Sequence, residues 1–434
     1  MRKPFLFLLG AALAAPAQPL RLTLAQAVEQ ALRNNLQTRL AQERTTEAQA
    51  RRDVVRSALL PQVSGAMYQT NLTANLAAEG LSAQTFPGIP AFIGPFSRFD
   101  ARFQAAQSLF NLASLRRYQA AGIGARVTEE ARRLAEERIT AATAMAYIGL
   151  LEAGQSVAAA EANVALSKRL LELAANQRNA GIATGLDVAR AETRLAAQQV
   201  QLAQAQTGLD TAQLNLLRLI GAPLGSMVSP ADTMRFEPRM PPETGDAIRR
   251  ALDDRVELRI AAEQLRLAQA ERSAALAEWA PSVAAFGEYG SSGLKPNEVN
   301  LPTRAIGIRV DVPVFNGGRT KAEVQAATSQ VRQAEMQLSD LRSGVEKDVR
   351  QALDLMRTRD QQMRAAQKNF QLAERELALA QDRFQNGVAD NIELTSAQTA
   401  LENARQVLVA SLAQFNMARL NLDSALGRAG EFQF

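Results

Sequence analysis

The stretch VPVFNGGR, residues 312–319, joins two kinds of chain. Leading into it, Ile306, Ile308, Val310 and Val312 oppose Arg309 and Asp311, the period of two that marks a strand. Inside it Asn316-Gly317-Gly318 turns the chain sharply. Beyond it, from Arg319 to about Gln385, neither proline nor a breaker run interrupts a helical composition. A strand thus passes straight into a helix of about 67 residues, on the order of 100 Å at ~1.5 Å per residue. A helix that long is not stable alone and must be packed along its length.

The same junction occurs earlier in the chain. Phe110-Asn111 matches Phe315-Asn316, and the next unbroken stretch runs from Asn111 to about Gln177. Around these junctions the second half repeats the first. Ala27, Ala31, Leu32, Arg39 and Pro61 recur 220 residues later as Ala247, Ala251, Leu252, Arg259 and Pro281. Gly181, Ala191, Leu195 and Gly221 recur as Gly387, Ala397, Leu401 and Gly427. The offset shrinks by about 15 residues between Pro61 and Phe110, which predicts a longer loop in the first copy. Each copy reads helix, short hairpin, very long helix, tight turn, long helix. Repetition of this kind builds a wall, not a single pocket.

The predicted organisation follows. Residues 1–17 form a secretory signal, with Arg2 and Lys3 before an apolar run and Ala15-Pro16-Ala17 as the cleavage pattern. Residues 18–220 form the first repeat, with one helix over 23–60, strands about 62–73 and 98–110, and long helices about 111–178 and 186–220. A Pro/Gly-rich linker running over the outside occupies 221–245. The second repeat, 246–427, carries strands about 282–292 and 303–315 and long helices about 317–385 and 391–427. A short tail, 428–434, carries no reading.

Heptad rows supply the partners that the long helices require. Val188, Leu195, Leu202, Leu209 and Leu216 recur every seven residues, with Ala191, Ala205, Ala212 and Leu219 between them. Leu394, Leu401, Leu408, Phe415 and Leu422 do the same, and Val324, Val331, Leu338 and Val345 add a third row. Leu facing Ala implies close coiled-coil packing.

Composition narrows the chemistry. With no Cys and no His, the chain has no thiol nucleophile, no Ser-His-Asp triad and no zinc site of the usual kind. No P-loop is present, so no energy source lies here. An enzyme has almost nothing to rest on, and no cofactor is expected. The net charge of +5 falls to +3 once Arg2 and Lys3 are removed. Basic pairs such as Arg132-Arg133 lie among Glu and Ala as solvated helix faces, so no nucleic acid is expected. After residue 17 no apolar run is long enough for a membrane helix. In the hairpins, Phe99, Ala101, Phe103, Ala105 and Leu109 oppose Arg98, Asp100, Arg102 and Gln104. That alternation fits an ordinary half-buried sheet or a barrel between lipid and water. The secretory signal favours the barrel.

Taken together, LTLAQAVEQALRNN at 22–35, ARRDVVRSALLPQVSG at 50–65, VPVFNGGR at 312–319, and the stretches 176–206 and 383–408 make the chain resemble the TolC-type outer membrane efflux protein family. The resemblance covers essentially all of the chain after the signal. It implies a mainly α protomer with a small antiparallel β part. A homotrimer would then pool four strands per chain into a twelve-stranded transmembrane β-barrel, continued by a coiled-coil tunnel. The function implied is a passive outer membrane exit duct for efflux or type I secretion. Its partners would be a periplasmic adaptor, an inner-membrane pump of RND, ABC or MFS type, and outer membrane lipid. The rival readings are a periplasmic coiled-coil adaptor and a filament protein. Four strands cannot close a barrel alone, so oligomerisation is demanded by physics, while the number three comes only from the resemblance.

The resemblance also places sites. The turns Ala180-Gly181-Ile182 and Asn386-Gly387-Val388 would be tunnel tips that meet the adaptor, although a helix C-cap alone explains both glycines. Acidic constriction positions fall on Asp187 and Glu393, with Ser396 where a second acid is expected and Asp390 one turn away. Phe384 stands where an aromatic partner of the family's closing arginine would be, and Ala389 replaces that arginine. Thr184-x-x-Asp187 and Asp390-x-x-Glu393 equally fit first-turn caps. Arg98, Asp100, Arg102, Arg309 and Asp311 would face the barrel lumen as salt-bridged residues.

Overall fold

The computed structural model describes residues 20–81, 87–238, 240–386, 388 and 391–434. The secretory signal expected over 1–17 therefore lies outside the described residues, as do Gly387, Ala389 and Asp390. In chain order the elements are β1 (Leu20–Leu22), α1 (Leu24–Asn34), α2 (Leu36–Ser57), β2 (Gln62–Asn75), β3 (Phe92–Asn111), α3 (Leu112–Asn179) and α4 (Gly185–Ile220). Then follow β4 (Val228–Pro230), α5 (Thr244–Asp254), α6 (Val256–Ala277), β5 (Ser282–Gly293), β6 (Leu301–Asp311), α7 (Arg319–Gln385) and α8 (Asn391–Ala425). The four long helices end within two residues of expectation. Two compact units emerge, one holding residues up to Glu43, Glu130–Arg259 and Asp340–Phe434, the other Arg44–Glu129 and Ile260–Ser339.

The second unit carries a four-stranded antiparallel sheet in the order β2-β3-β5-β6. β3 begins at Phe92, six residues before the predicted start. β6 stops at Asp311, short of Phe315, because Pro313 has no N–H to donate to a ladder. Between Ser108 and Phe110 the β3–β5 register shifts. That bulge removes Leu109 from the apolar row in which the alternation placed it, and Phe110 enters the row beside Val283 and Val310.

In the first unit the helix predicted over 23–60 is broken at Asn35, and its counterpart is broken at Arg255. Both residues are extended, at φ −65°, ψ 135° and φ −66°, ψ 126°. Each break packs against a left-handed glycine that ends a long helix. Gly221 (φ 67°) caps α4, and a Cβ there would lie 2.7 Å from Asn34 Cβ. Gly427 (φ 77°) follows α8, where a Cβ would lie 3.2 Å from the Arg255 nitrogen. Only glycine fits this approach. Asn35 donates to the Leu219 carbonyl at 3.0 Å and accepts from the Gln37 amide at 2.8 Å, so it ends one helix and starts the next.

The linker is not a surface strap. Its Val228–Pro230 pairs in parallel with Leu20–Leu22, and Val228 and Met234 are buried with Leu22, Ala27, Ile148, Leu216 and Leu420. Tyr147 is wholly buried there. Its hydroxyl donates to the Leu22 carbonyl at 2.8 Å and accepts from the Ala231 and Asp232 amides at 3.2 and 3.3 Å. The tail joins the same core through buried Phe432, with the Phe434 ring 5.8 Å from that of Tyr147. Apolar linker residues carry no periodicity, which is why the pattern did not place them.

Candidate functional site

Two regions gather the predicted residues, one at the turns between long helices and one on the sheet. At the first turn α3 ends in a Schellman pair. Gly181 N–H donates to the Arg178 carbonyl at 3.0 Å and Ile182 N–H to the Gln177 carbonyl at 2.9 Å, with Gly181 at φ 77°. Ala180 N–H closes on Asn176 at 3.0 Å. At the second turn Val388 N–H reaches the Arg383 carbonyl at 2.9 Å, the bond equivalent to that of Ile182. Asn386 Nδ2 donates to the Asp382 carbonyl at 2.9 Å. Ile182, Leu186, Val388 and Ile392 are all exposed, two matched apolar pairs beside the turns.

Asp187 caps α4. Its Oδ2 accepts from the Thr184 amide at 2.8 Å and from the Thr184 hydroxyl at 2.7 Å, while its own N–H returns to that hydroxyl at 3.4 Å. These bonds from Thr184, with lesser help from Asn391 and Arg190, hold the carboxyl below the usual carboxylate range. Asn391 Nδ2 donates to Asp187 Oδ1 at 3.1 Å, so the first turns of α4 and α8 are tied together. Glu393 is ion-paired to Arg383, across the turn, at 3.1 Å. Phe384 is buried among Leu166, Leu377, Leu394 and Leu401, so the side chain expected at the closing contact is packed into the helix core.

Above this lies a polar group that the periodicity did not name. Glu402, only 4% exposed, accepts from Gln198 Nε2 and Gln398 Nε2, each at 2.9 Å, and pairs with Arg194. Gln398 also donates to Ser167 Oγ at 2.8 Å, bringing in α3. Burial pulls the Arg194 guanidinium below its ordinary value. A signal existed: Gln198 is the polar interruption of the α4 heptad row that Ala191, Ala205, Ala212 and Leu219 otherwise fill. A groove of about 920 Å³ between α4 and α8 is lined by Leu186, Arg190, Arg194, Ile392, Ser396 and neighbouring small residues.

On the sheet, the strand register puts Arg98, Asp100, Arg102, Arg309 and Asp311 on one face, opposite the apolar row. Asp100 is fully buried under Arg102, whose Nε donates to it at 2.6 Å, with Arg98 at 3.6 Å. Arg102 also reaches Glu288 at 3.1 Å, and Arg309 pairs with Asp311 at 3.2 Å. A Cβ on Gly290 would lie 2.4 Å from Arg102 Cβ, so glycine lets β3 and β5 close beneath this cluster. The other face is open and apolar apart from Arg304, which stands across from Tyr289: Ile306 is 87% exposed and Ile308 69%, beside Val63, Met67, Phe103 and Val310. No helix among the described residues is long and apolar enough to cross a membrane.

Comparison with known proteins follows the duplication. The outer membrane efflux protein family matches residues 27–222 and 247–428, one segment per repeat. The pyoverdine export outer membrane protein OpmQ of Pseudomonas aeruginosa is 26% identical over 320 residues, covering 72% of this chain and 65% of that one. The alkaline protease secretion protein AprF of the same species is 26% identical over 307 residues, covering 70% and 64%. The chain thus spans slightly under two thirds of the length of these relatives. The crystal structure of the outer membrane protein VceC of Vibrio cholerae superposes with a TM-score of 0.79 at 20% identity, covering 94% of this chain and 97% of that one.

Proposed function

The chain belongs to the outer membrane efflux protein family, and from that premise we propose that three copies form a passive exit duct through the cell outer membrane. One observation carries the proposal. A four-stranded sheet has charge on one face, exposed apolar side chains on the other, and two outer strands, β2 and β6, with no further strand partner among the described residues. In lipid such edges are untenable, because each unpaired backbone group costs several kcal/mol. Neighbouring copies satisfy them by joining β6 of one to β2 of the next. The apolar face then meets lipid, and Arg98, Asp100, Arg102, Arg309 and Asp311 line the lumen as mutually neutralised pairs.

α4 supports the same assembly. It buries only Gln198, Leu216, Leu217 and Ile220 within the chain, while Leu186, Val200 and Leu214 stay exposed. A helix of this length with one open seam calls for a neighbouring coil. The helices extend into the periplasm, and the turns at 180–182 and 386–388 are the tips that meet an adaptor hairpin through Ile182 and Val388. Asp187 and Glu393 set the charge at the tips, with Arg383 moderating Glu393. Transport is driven by an inner-membrane pump of RND, ABC or MFS type through the adaptor, a reading supported by a sequence without a P-loop. OpmQ is named for pyoverdine export and AprF for protease secretion, so the family serves both small and large cargo. Efflux is the cargo route we infer.

The test is extraction from outer membranes, chemical cross-linking and planar-bilayer recording. A cross-linked trimer that forms discrete conducting channels is expected. Monomeric protein that neither partitions into membranes nor conducts would overturn the duct.

A further inference from the structure

The end of the sheet marked by Asn111, Ser282 and Asp311, which the register brings side by side, carries two features that the duct does not use. The first is apolar. Past Asp311 the chain leaves the ladder with Phe315 85% exposed and Val314 equally bare, and Trp279 and Leu60 are exposed at the strand entries. They follow or precede the strand ends next to Val310, the last residue of the open apolar row. The second is basic. α3 and α7, the helices that leave this end, have no acid in their first turn. Instead Arg116 and Lys321 stand at matching places, each five residues beyond the asparagine of its junction. Cations near a helix N-terminus oppose the macrodipole, so helix stability does not explain them. Neither has a carboxylate partner among the described residues; Arg116 donates to Gln119 at 2.9 Å. Arg117, next to it, is tied to Glu278, the neighbour of Trp279, which sets the basic turn of α3 beside the exposed indole.

We infer that this rim binds the phosphates of anionic phospholipid headgroups in the periplasm-facing leaflet, with Arg116 and Lys321 as the recognising groups. The inference rests on the membrane reading above. An exposed aromatic at the boundary of an apolar band seats at the headgroup level, and cations just beyond it meet the phosphates. Each basic side chain near an anionic surface strengthens association about fivefold. Three copies in a closed ring place six such cations around the rim.

Trp279 is the only tryptophan, so it reports on this rim without labelling. Full-length protein is reconstituted in vesicles of phosphatidylcholine containing a fixed fraction of either brominated phosphatidylglycerol or brominated phosphatidylcholine. Stronger quenching by the brominated phosphatidylglycerol is expected, equivalent to about a fivefold or greater preference. The double variant R116Q/K321Q should bring that ratio near one while quenching by brominated phosphatidylcholine is kept. In wild-type protein the ratio should also fall as salt rises, which stands as a second readout if the variant fails to assemble. A ratio of one in wild type with strong quenching by both lipids, or a ratio indifferent to the substitutions or to salt, overturns the rim. No quenching by either lipid overturns the rim and the membrane reading together.

Discussion

The Tyr147 hydroxyl joins three segments that lie far apart in the chain: α3, Leu22 at the end of β1, and the linker. Burial pushes its pKa up to about 12 from the ordinary 10.0. A raised folded value means that the neutral phenol contributes stability fully below pH 10. That contribution is lost as pH climbs toward 12. Alkaline unfolding followed by circular dichroism should therefore begin in this window for wild type and be shallower there for Tyr147→Phe. At neutral pH the same variant leaves the Asp232 amide short of its hydroxyl partner, while the Leu22 carbonyl and the Ala231 amide keep their bond to each other at 2.9 Å, and it should cost about 1–3 kcal/mol in a denaturant titration. Glu393 and Arg383 form an exposed pair worth little to folding, so under the proposed duct their effect is expected on conduction. Arg383→Gln should shift the reversal potential of reconstituted channels toward cation selectivity, and Glu393→Gln should shift it the opposite way. Unchanged potentials in both would leave Glu393 with a capping role alone. Asp187 was legible in the sequence as a cap or a gate. The geometry supplies the cap through Thr184, because an acid three residues past a threonine at a helix start folds back locally whatever surrounds it.

At the scale of elements, the long helices were readable because absence of breakers and heptad spacing are local properties. The breaks at Asn35 and Arg255 were not, since neither residue is a strong breaker. They are imposed by the close approach of Gly221 and Gly427 from elements far along the chain. Gly427→Ala should be destabilising by about 1–3 kcal/mol, combining strain at positive φ with a Cβ at 3.2 Å from backbone. Hydrogen exchange should then speed up around residues 251–256. The Glu402 cluster was half legible: Gln198 interrupts its heptad row, but Glu402 sits beside the row. What buries that carboxylate is the meeting of α3, α4 and α8. Glu402→Gln strands the Arg194 charge and should cost about 2–4 kcal/mol in thermal unfolding. Replacing both by Leu should recover most of that loss.

For the whole molecule, the outward face of the sheet decides whether the chain can live in lipid. Ile308→Arg puts a cation on that face and should reduce insertion by about 2–4 kcal/mol if the site lies near the bilayer centre. The measurable result is loss of the cross-linkable trimer from outer membranes while soluble chain accumulates. A trimer yield equal to wild type would place Ile308 away from lipid. Element order, duplication, strand alternation and coiled-coil seams are all written in residue type and spacing, because each depends on neighbours within a few turns of the chain. The bulge at Leu109, the buried linker and tail, the broken first helices and the ion pairs under Arg102 arise where distant segments touch. Their partners are set by three-dimensional packing, and a linear pattern carries no record of which surfaces will meet.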